Sequence, residues 1–320
     1  MPTEHDHKAP AAVLLFSGGL DSILAAELLR RAGVEVILLR HRSIFYPLKE
    51  GGYVPPCPCI VRDVSEEMVR LVQEPQYGFG KNVNPCLDCK QMMYGKAMSE
   101  ARRRGAGFIA TGEVLGQRPM SQRRDTFRRM EKGAGVVDLV VRPLSGKLLP
   151  PTIPEREGLI AREDMLDIQG RSRKRQMALA EQWGIEEYPG PAGGCRLTDP
   201  HFAERAEALR EMGYLELEHL RAVRNGRFFV LGERTYALVG RNHEDNMALL
   251  ADAPPACRML DLDGRPGPLA ALMGEPDEQQ LEQARRLVIR YSRFDGLPTS
   301  EVLVETPEQC RRRKAAGEDT

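Results

Sequence analysis

Apolar residues follow two rhythms along the first two hundred positions. Ala11 to Phe16 is an unbroken apolar run of strand length, the pattern of a central strand covered on both faces. Ser17-Gly18-Gly19-Leu20-Asp21-Ser22 interrupts it. Apolar positions then recur at helical spacing from Ile23 to Ala32, closing on Arg30-Arg31 before Gly33. Val34 to Leu39 is a second apolar strand, so the pattern predicts a strand, glycine turn, helix, strand unit with a right-handed crossover in a parallel sheet. Helices are expected from Asp63 to Val72 and from Lys90 to Arg104, the second closed by Gly105. Phe108 to Thr111 reads as a third strand ending at Gly112, at the edge where open α/β sheets collect ligands. Residues 143–158, rich in proline and glycine, read as loop, and Arg173 to Trp183 as helix. Tyr188 to Cys195 (YPGPAGGC) reads as a shaped loop without regular structure.

Beyond Asp199 the rhythm changes. A helix over 201–212 leads to two short alternating runs, Arg227 to Leu231 and Thr235 to Val239, separated by Gly232-Glu233-Arg234 as in a hairpin. A helix near Glu244 to Ala251, a strand near Arg258 to Leu262, a helix from Asp277 to Tyr291 and a strand at Glu301 to Glu305 complete an α+β module. The expected organisation is a flexible tail over 1–10, a doubly wound α/β domain over 11–200, a helical connector over 201–215, an α+β module over 216–308 and a disordered tail over 309–320.

Composition narrows the function classes. The 320 residues are 42% hydrophobic and 29% charged, an ordinary globular mixture that excludes wholesale disorder. Forty-six basic residues balance forty-six acidic ones, so attraction to nucleic acid must come from local patches. No apolar run approaches the roughly 18 residues of a membrane helix, and the expectation is a cytoplasmic protein with no membrane partner. The seven cysteines include Cys57-Pro-Cys59 and Cys86-x-x-Cys89, too close for an evenly spaced disulfide framework.

The hexapeptide at 17–22 carries the first chemistry. Between a buried strand and a helix, turn amides and the helix dipole converge on one point, where an anion belongs. Gly18 and Gly19 admit a phosphate without Cβ interference, and Ser17 and Ser22 add hydroxyl donors. Asp21 beside a phosphate calls for Mg²⁺ or a catalytic task to offset repulsion. The plain alternative is a capped strand-to-helix turn. No Gly-Lys-Ser/Thr follows, so the loop departs from the Walker pattern. It resembles the SGGxDS signature of the ATP-pyrophosphatase (PP-loop) family. That resemblance implies cleavage of ATP between the α and β phosphates, with Ser17, Gly18, Gly19, Leu20, Asp21 and Ser22 at the pyrophosphate and Thr111 and Gly112 completing the nucleotide site.

Cys86 and Cys89 precede the helix expected from Lys90, and thiols at a helix N-terminus have lowered pKa values. Cys195 offers a third thiol. Three thiolates on a four-iron cluster leave one iron open for sulfide. The alternatives are a redox pair or bystander cysteines. The segment PCLDCKQMMYGKAMSEARRRGAGFIATGEVLGQRPMSQ is similar to the central region of tRNA thiouridine synthetases. In the cluster-dependent members of that family, this resemblance implies a [4Fe–4S] cluster on Cys86, Cys89 and Cys195. In the others it implies persulfide chemistry with Cys89 and Cys195 as donor and partner. The full triplet favours the cluster. Cys57 and Cys59 have no counterpart: a sulfur relay, an alternative ligand pair and no role all stay open.

Five arginines lie between 118 and 129, and Arg171, Arg173, Lys174 and Arg175 form a second cluster. Arg118, Arg123, Arg124, Arg128, Arg173 and Lys174 are candidate RNA contacts, against the alternative of solvated helix faces paired with acids. Val239-Gly240-Arg241-Asn242 with Glu244-Asp245-Asn246-Met247 is reminiscent of the RNA-binding module of NFACT proteins. Together these readings imply ATP-dependent tRNA thiolation, in which a uridine carbonyl is adenylated and its oxygen replaced by sulfur to give 4-thiouridine or 2-thiouridine. The partners are tRNA and a sulfur donor, either sulfide or a desulfurase-derived persulfide, and a homodimer stays open. The rival readings are a PP-loop adenylating ligase acting on a small substrate and a non-catalytic iron–sulfur RNA-binding protein.

Overall fold

The computed structural model describes residues 9–46, 48, 52–118, 120–190, 194–294 and 296–317. The expected tail up to residue 8, positions 191–193 of the loop before Cys195 and the last three residues lie outside the described residues. The chain divides into two units, one holding residues up to Gly80 and Asn84–Cys195, the other Lys81–Val83 and Arg196 onward.

The first unit is a doubly wound α/β fold. Its elements are β1 (Ala11–Leu15), α1 (Leu20–Arg31), β2 (Glu35–Arg42), β3 (Cys59–Asp63), α2 (Ser65–Gln73), α3 (Cys86–Arg104), β4 (Phe108–Thr111), α4 (Arg124–Gly133), β5 (Val140–Val141), α5 (Ile153–Arg156) and α6 (Lys174–Gln182). The strands pair in parallel in the order β3-β2-β1-β4-β5. β1 sits in the middle because its side chains are apolar on both faces. Ala12 and Leu14 pack with Ile23, Leu24 and Ala180 on the α1 and α6 side, whereas Val13 packs with Tyr94, Ala97 and Phe127 on the α3 and α4 side. This assignment of alternate residues to opposite faces follows the period-two alternation of a pleated strand.

The second unit contains α7 (Pro200–Met212), α8 (Leu217–Ala222), β6 (Arg227–Gly232), β7 (Thr235–Val239), α9 (His243–Asp252), β8 (Arg258–Leu262), β9 (Ala270–Met273), α10 (Glu278–Arg290), β10 (Val302–Glu305) and α11 (Pro307–Gly317). Its strands form an antiparallel sheet in the order β10-β8-β9-β7-β6, with the expected β6–β7 hairpin at one edge. Leu281, Ala284 and Val288 of α10 fill its core against Ala237, Leu260 and Leu272.

Three sequence expectations change here. The helix expected from Lys90 starts at Cys86, so both cysteines occupy its first turn. β3, α4, β5, α8 and β9 were not expected, and the stretch 143–158 read as loop holds the short helix α5. β3 is an edge strand of mostly exposed residues with no apolar run, and α4 is a charged helix that buries only Phe127, Met130 and Glu131. The disordered tail expected from 309 is helix α11 as far as Gly317. Cys310 is fully buried, and Arg313 pairs with Asp261 at 2.9 Å and Glu305 at 2.8 Å, which supplies the anchorage a free tail lacks.

Candidate functional site

The phosphate-loop residues come together as the sequence suggests. β1 ends at Leu15 and α1 starts at Leu20, with Gly19 as the extended N-cap. Gly18 turns the chain at φ +76°, a left-handed conformation that suits glycine. Ser22 Oγ donates to the Gly19 carbonyl at 2.8 Å and lies 3.2 Å from Ser17 Oγ, so the two hydroxyls brace the loop. The amides of Ser22 and Ile23 bond to the Gly19 carbonyl at 2.9 and 3.1 Å, which leaves those of Leu20 and Asp21 as the helix-start donors for a ligand. Leu20 is buried in the core, so only its backbone is available to a ligand.

Asp21 is held by two amides from distant segments. Gln117 Nε2 donates to Oδ2 at 3.0 Å and Gln176 Nε2 donates to Oδ1 at 3.3 Å. Gln176 is fully buried and its Oε1 has no hydrogen-bond partner. Gly112 follows β4 and lies flat against the loop: a Cβ there would stand 2.6 Å from the backbone of Asp21 and Ser22. The Ala-Thr-Gly turn is thus shaped to the phosphate loop by the one residue that allows such an approach.

The next residue, Glu113, links this turn to the cysteines. Its carboxylate accepts from Lys90 Nζ at 2.5 Å, from Thr111 Oγ1 at 3.2 Å, from Arg142 Nε at 3.3 Å and from the Tyr94 hydroxyl. Burial pushes this carboxyl up, but the charges of Lys90 and Arg142 outweigh it and hold Glu113 down at about 2. Arg142 also donates to Glu131 Oε1 at 2.6 Å and stacks 3.8 Å from the Phe127 ring centre. Lys90 directly follows Cys89 in the first turn of α3.

Cys86, Cys89 and Cys195 belong to the same unit. Burial, then the neighbouring Cys195 thiol, and more weakly Cys86, push Cys89 up to about 12. The lowered thiol pKa expected of a helix N-terminus is therefore reversed at Cys89, where burial and two nearby sulfurs raise the thiol and outweigh the opposing effects of Tyr46 and Lys90. Tyr46 Oη lies 3.9 Å from Cys89 Sγ, and Asn84 Nδ2 donates to Cys86 Sγ at 3.1 Å. Asp88, between the two cysteines, is buried and accepts from the backbone of Gln76 at 2.9 Å and Tyr77 at 3.3 Å, which fixes the loop that leads into α3. Among the described residues, the group with three ligand atoms mutually within 4.8 Å is Glu216, Glu218 and His219, not the cysteines. A single zinc, with Zn–S of about 2.3 Å, needs its sulfurs closer than a multi-iron cluster that binds each thiolate on a different iron.

The basic residues divide. Arg118, Arg123 and Lys174 are exposed, whereas Arg128 pairs with Asp138 at 2.5 Å and Arg124 donates to the Leu148 carbonyl at 2.7 Å. Arg173 is half-buried at the N-cap of α6. In the second unit the residues around 240 shape the fold. Arg241 Nε binds Asp245 Oδ2 at 2.5 Å, Asn242 caps α9, and Asn246 bridges to Gly267 O and Leu269 N at 3.0 and 2.9 Å. A side chain at Gly240 would collide with Asn246.

Sequence reasoning missed Gln117, Gln176, Glu113 and Tyr46 as parts of the site. Gln176 reaches Asp21 across 155 positions, and no local pattern signals such a contact.

Residues 226–318 match the family profile of the NFACT protein RNA binding domain. Over 117 residues, 33% of the chain, the sequence is 37% identical to a Thermococcus kodakarensis protein named "Probable tRNA sulfurtransferase", covering 30% of that protein. It is 30% identical over 113 residues to the tRNA-specific 2-thiouridylase MnmA of Desulfosudis oleivorans, covering 32% of each chain. The chain thus spans about a third of the length of these curated relatives. Among solved structures, a 4-thiouridine synthetase in complex with RNA and bound ATP aligns over 66% of this chain and 53% of its own, at 19% identity and a TM-score of 0.34.

Proposed function

We propose that this chain is an ATP-dependent tRNA-thiolating enzyme that activates a uridine carbonyl as its adenylate and exchanges the oxygen for sulfur. The observation that carries the reading is the continuity from phosphate loop to thiols: Gly112 abuts Asp21, Glu113 follows it and binds Lys90, and Lys90 adjoins Cys89. A carbonyl oxygen is a poor leaving group, so an adenylating site and a sulfur site must serve the same atom. The relatives named for tRNA sulfur transfer and the NFACT-type match at 226–318 support the same substrate class.

In this reading the amides at the start of α1, with Ser17, Gly18 and Gly19, receive the β and γ phosphates of ATP. Asp21, with both oxygens fixed by Gln117 and Gln176, would hold Mg²⁺, which would offset the charge of the phosphates. The uridine oxygen attacks the α-phosphorus and pyrophosphate leaves. Hydrosulfide then adds at the activated carbon and AMP departs, so that uridine, ATP and HS⁻ give thiouridine, AMP and pyrophosphate. Cys86, Cys89 and Cys195 would hold a cluster with one open iron, because a cationic group among them would offset the burial and the neighbouring sulfurs that raise Cys89. Such a cluster supplies a site for sulfide. Thr111 shapes the turn by bonding Glu113, and Arg118, Arg123 and Lys174 remain available for RNA phosphates, with Arg124, Arg128 and Arg173 able to join only by exchanging or extending their present contacts. Anaerobic incubation of the cluster-loaded protein with unmodified tRNA, ATP and sulfide should yield thiouridine and AMP. An intact cluster without either product would overturn the reading, and a Cys195→Ala variant should lose the brown colour and thiolation together.

A further inference from the structure

The segment from Ser17 to Ser22 contains no cation, and its one charged side chain is the carboxylate of Asp21. Arg40 brings a cation to it from the neighbouring strand. β2 runs parallel to β1 with Leu39 opposite Leu15, which sets Arg40 level with the point where the chain leaves β1 and enters the loop. The guanidinium lies 5.8 Å from the centre of the Phe16 ring. A methyl group built on Gly18 would stand 3.4 Å from Arg40 Nη2. The left-handed glycine of the turn and the guanidinium therefore share one small space. On the adjacent strand, Cys59 is opposite Leu38 and Val61 is opposite Arg40, so Cys59 is the diagonal neighbour of Arg40 on the same face of the sheet.

We propose that Arg40 is a phosphate-binding residue of this nucleotide site, its guanidinium engaging oxygens of the β and γ phosphates beside Gly18. The proposal rests on the ATP reading of the loop. A guanidinium offers paired donors in a fixed plane, stays charged throughout the physiological range and stacks on an aromatic ring without losing its donors. At this place it meets the negative charge that grows on pyrophosphate as the α–β bridge breaks, the task performed by a lysine in loops of the Walker type. Cys59 becomes a built-in reporter, because the Arg40 charge partly offsets the burial that raises its thiol. Phosphates seated on Arg40 would weaken that help and slow reaction of the thiol.

Full-length protein, in Mg²⁺, is titrated with ATP, inorganic pyrophosphate and AMP, alongside Arg40→Gln and Arg40→Lys. The expected result is a loss of roughly 10- to 100-fold in affinity for ATP and pyrophosphate in Arg40→Gln, a partial loss in Arg40→Lys, and AMP binding unchanged in both. Iodoacetamide labelling of Cys59, followed by mass spectrometry, should be slowed by ATP in the wild type and insensitive to ATP in Arg40→Gln. Unchanged ATP and pyrophosphate binding in Arg40→Gln overturns the role of Arg40 and leaves the ATP reading standing. An equal loss of AMP binding makes Arg40 structural and overturns the proposal as well. A wild-type protein that binds neither ATP nor pyrophosphate overturns the reading beneath it.

Discussion

Single residues decide whether the two halves of the site can meet, and Gly112 is the sharpest case. A Cβ there would press on backbone atoms of Asp21 and Ser22, which cannot swing aside as a side chain can. Gly112→Ala should cost about 1–3 kcal/mol in urea unfolding and weaken ATP binding at least tenfold by isothermal titration, since relief requires the phosphate loop to move. Glu113 tests the bridge from the other side. Its pKa, held near 2, lies below that of the unfolded carboxyl, so the stability it contributes is present above about pH 4.5 and is lost as pH falls toward 2. Glu113→Gln leaves Lys90 and Arg142 without their shared carboxylate and should cost on the order of 3 kcal/mol, with a flatter acid limb in the unfolding profile. Cys89 has the opposite sign. Its folded pKa of about 12 stands above the ordinary thiol value, so the metal-free protein should lose stability as pH rises from about 9 to 12. At pH 8 its alkylation should lag behind that of exposed Cys86, and faster labelling of Cys89 would contradict the burial that raises its thiol.

At the scale of elements, what the sequence reveals depends on how local the cause is. β1, the glycine turn and α1 were legible because an apolar run, two glycines and a helical repeat are adjacent in the chain, and the structure assembles them from neighbours. The thiol pair was legible as a motif, but its starting point was not. α3 extends back to Cys86, where Asp88 ties down residues 76 and 77, and this contact is invisible to periodicity. β3 escaped notice because an edge strand of exposed residues carries little apolar signal. α11 was hidden by its composition: Arg311, Arg312, Arg313 and Lys314 look like a solvated tail, yet Arg313 and Lys314 converge on Asp261, which is nearly inaccessible to solvent. Arg313→Met should therefore destabilise the second unit by about 1–2 kcal/mol, less than a fully orphaned buried acid because Lys314 stays paired. Urea denaturation followed at Tyr214 and Tyr236 would register it, and an unchanged midpoint would mean that α11 is not clamped to β8 and β10 as described.

For the whole molecule, the balance of 46 basic and 46 acidic residues sets the terms on which a polyanion can bind. Uniform attraction is absent, so on the proposed reading tRNA affinity has to come from cations that are not already neutralised within the fold. Arg128 and Arg124 spend their donors on Asp138 and a carbonyl, and Arg241 spends its own on Asp245. Arg118, Arg123 and Lys174 are exposed, and the nearest acid to Arg123, Asp125, stands 3.9 Å away and is itself exposed. An exposed pair of that kind competes poorly with phosphate. Replacing Arg118, Arg123 and Lys174 together by serine should lower tRNA affinity across all tRNA sequences. It should also reduce the slope of log affinity against log salt by about 2–3, since each phosphate contact releases a little under one counterion. ATP binding in the absence of tRNA should be unaffected, because none of the three takes part in the contacts that hold Asp21 or Gly112. An unchanged salt slope would place the RNA grip elsewhere, and the natural place to look next is the stretch 226–318 that matches the NFACT RNA binding domain, where Arg241, Asn242 and Asn246 are already committed to holding α9 and its surroundings.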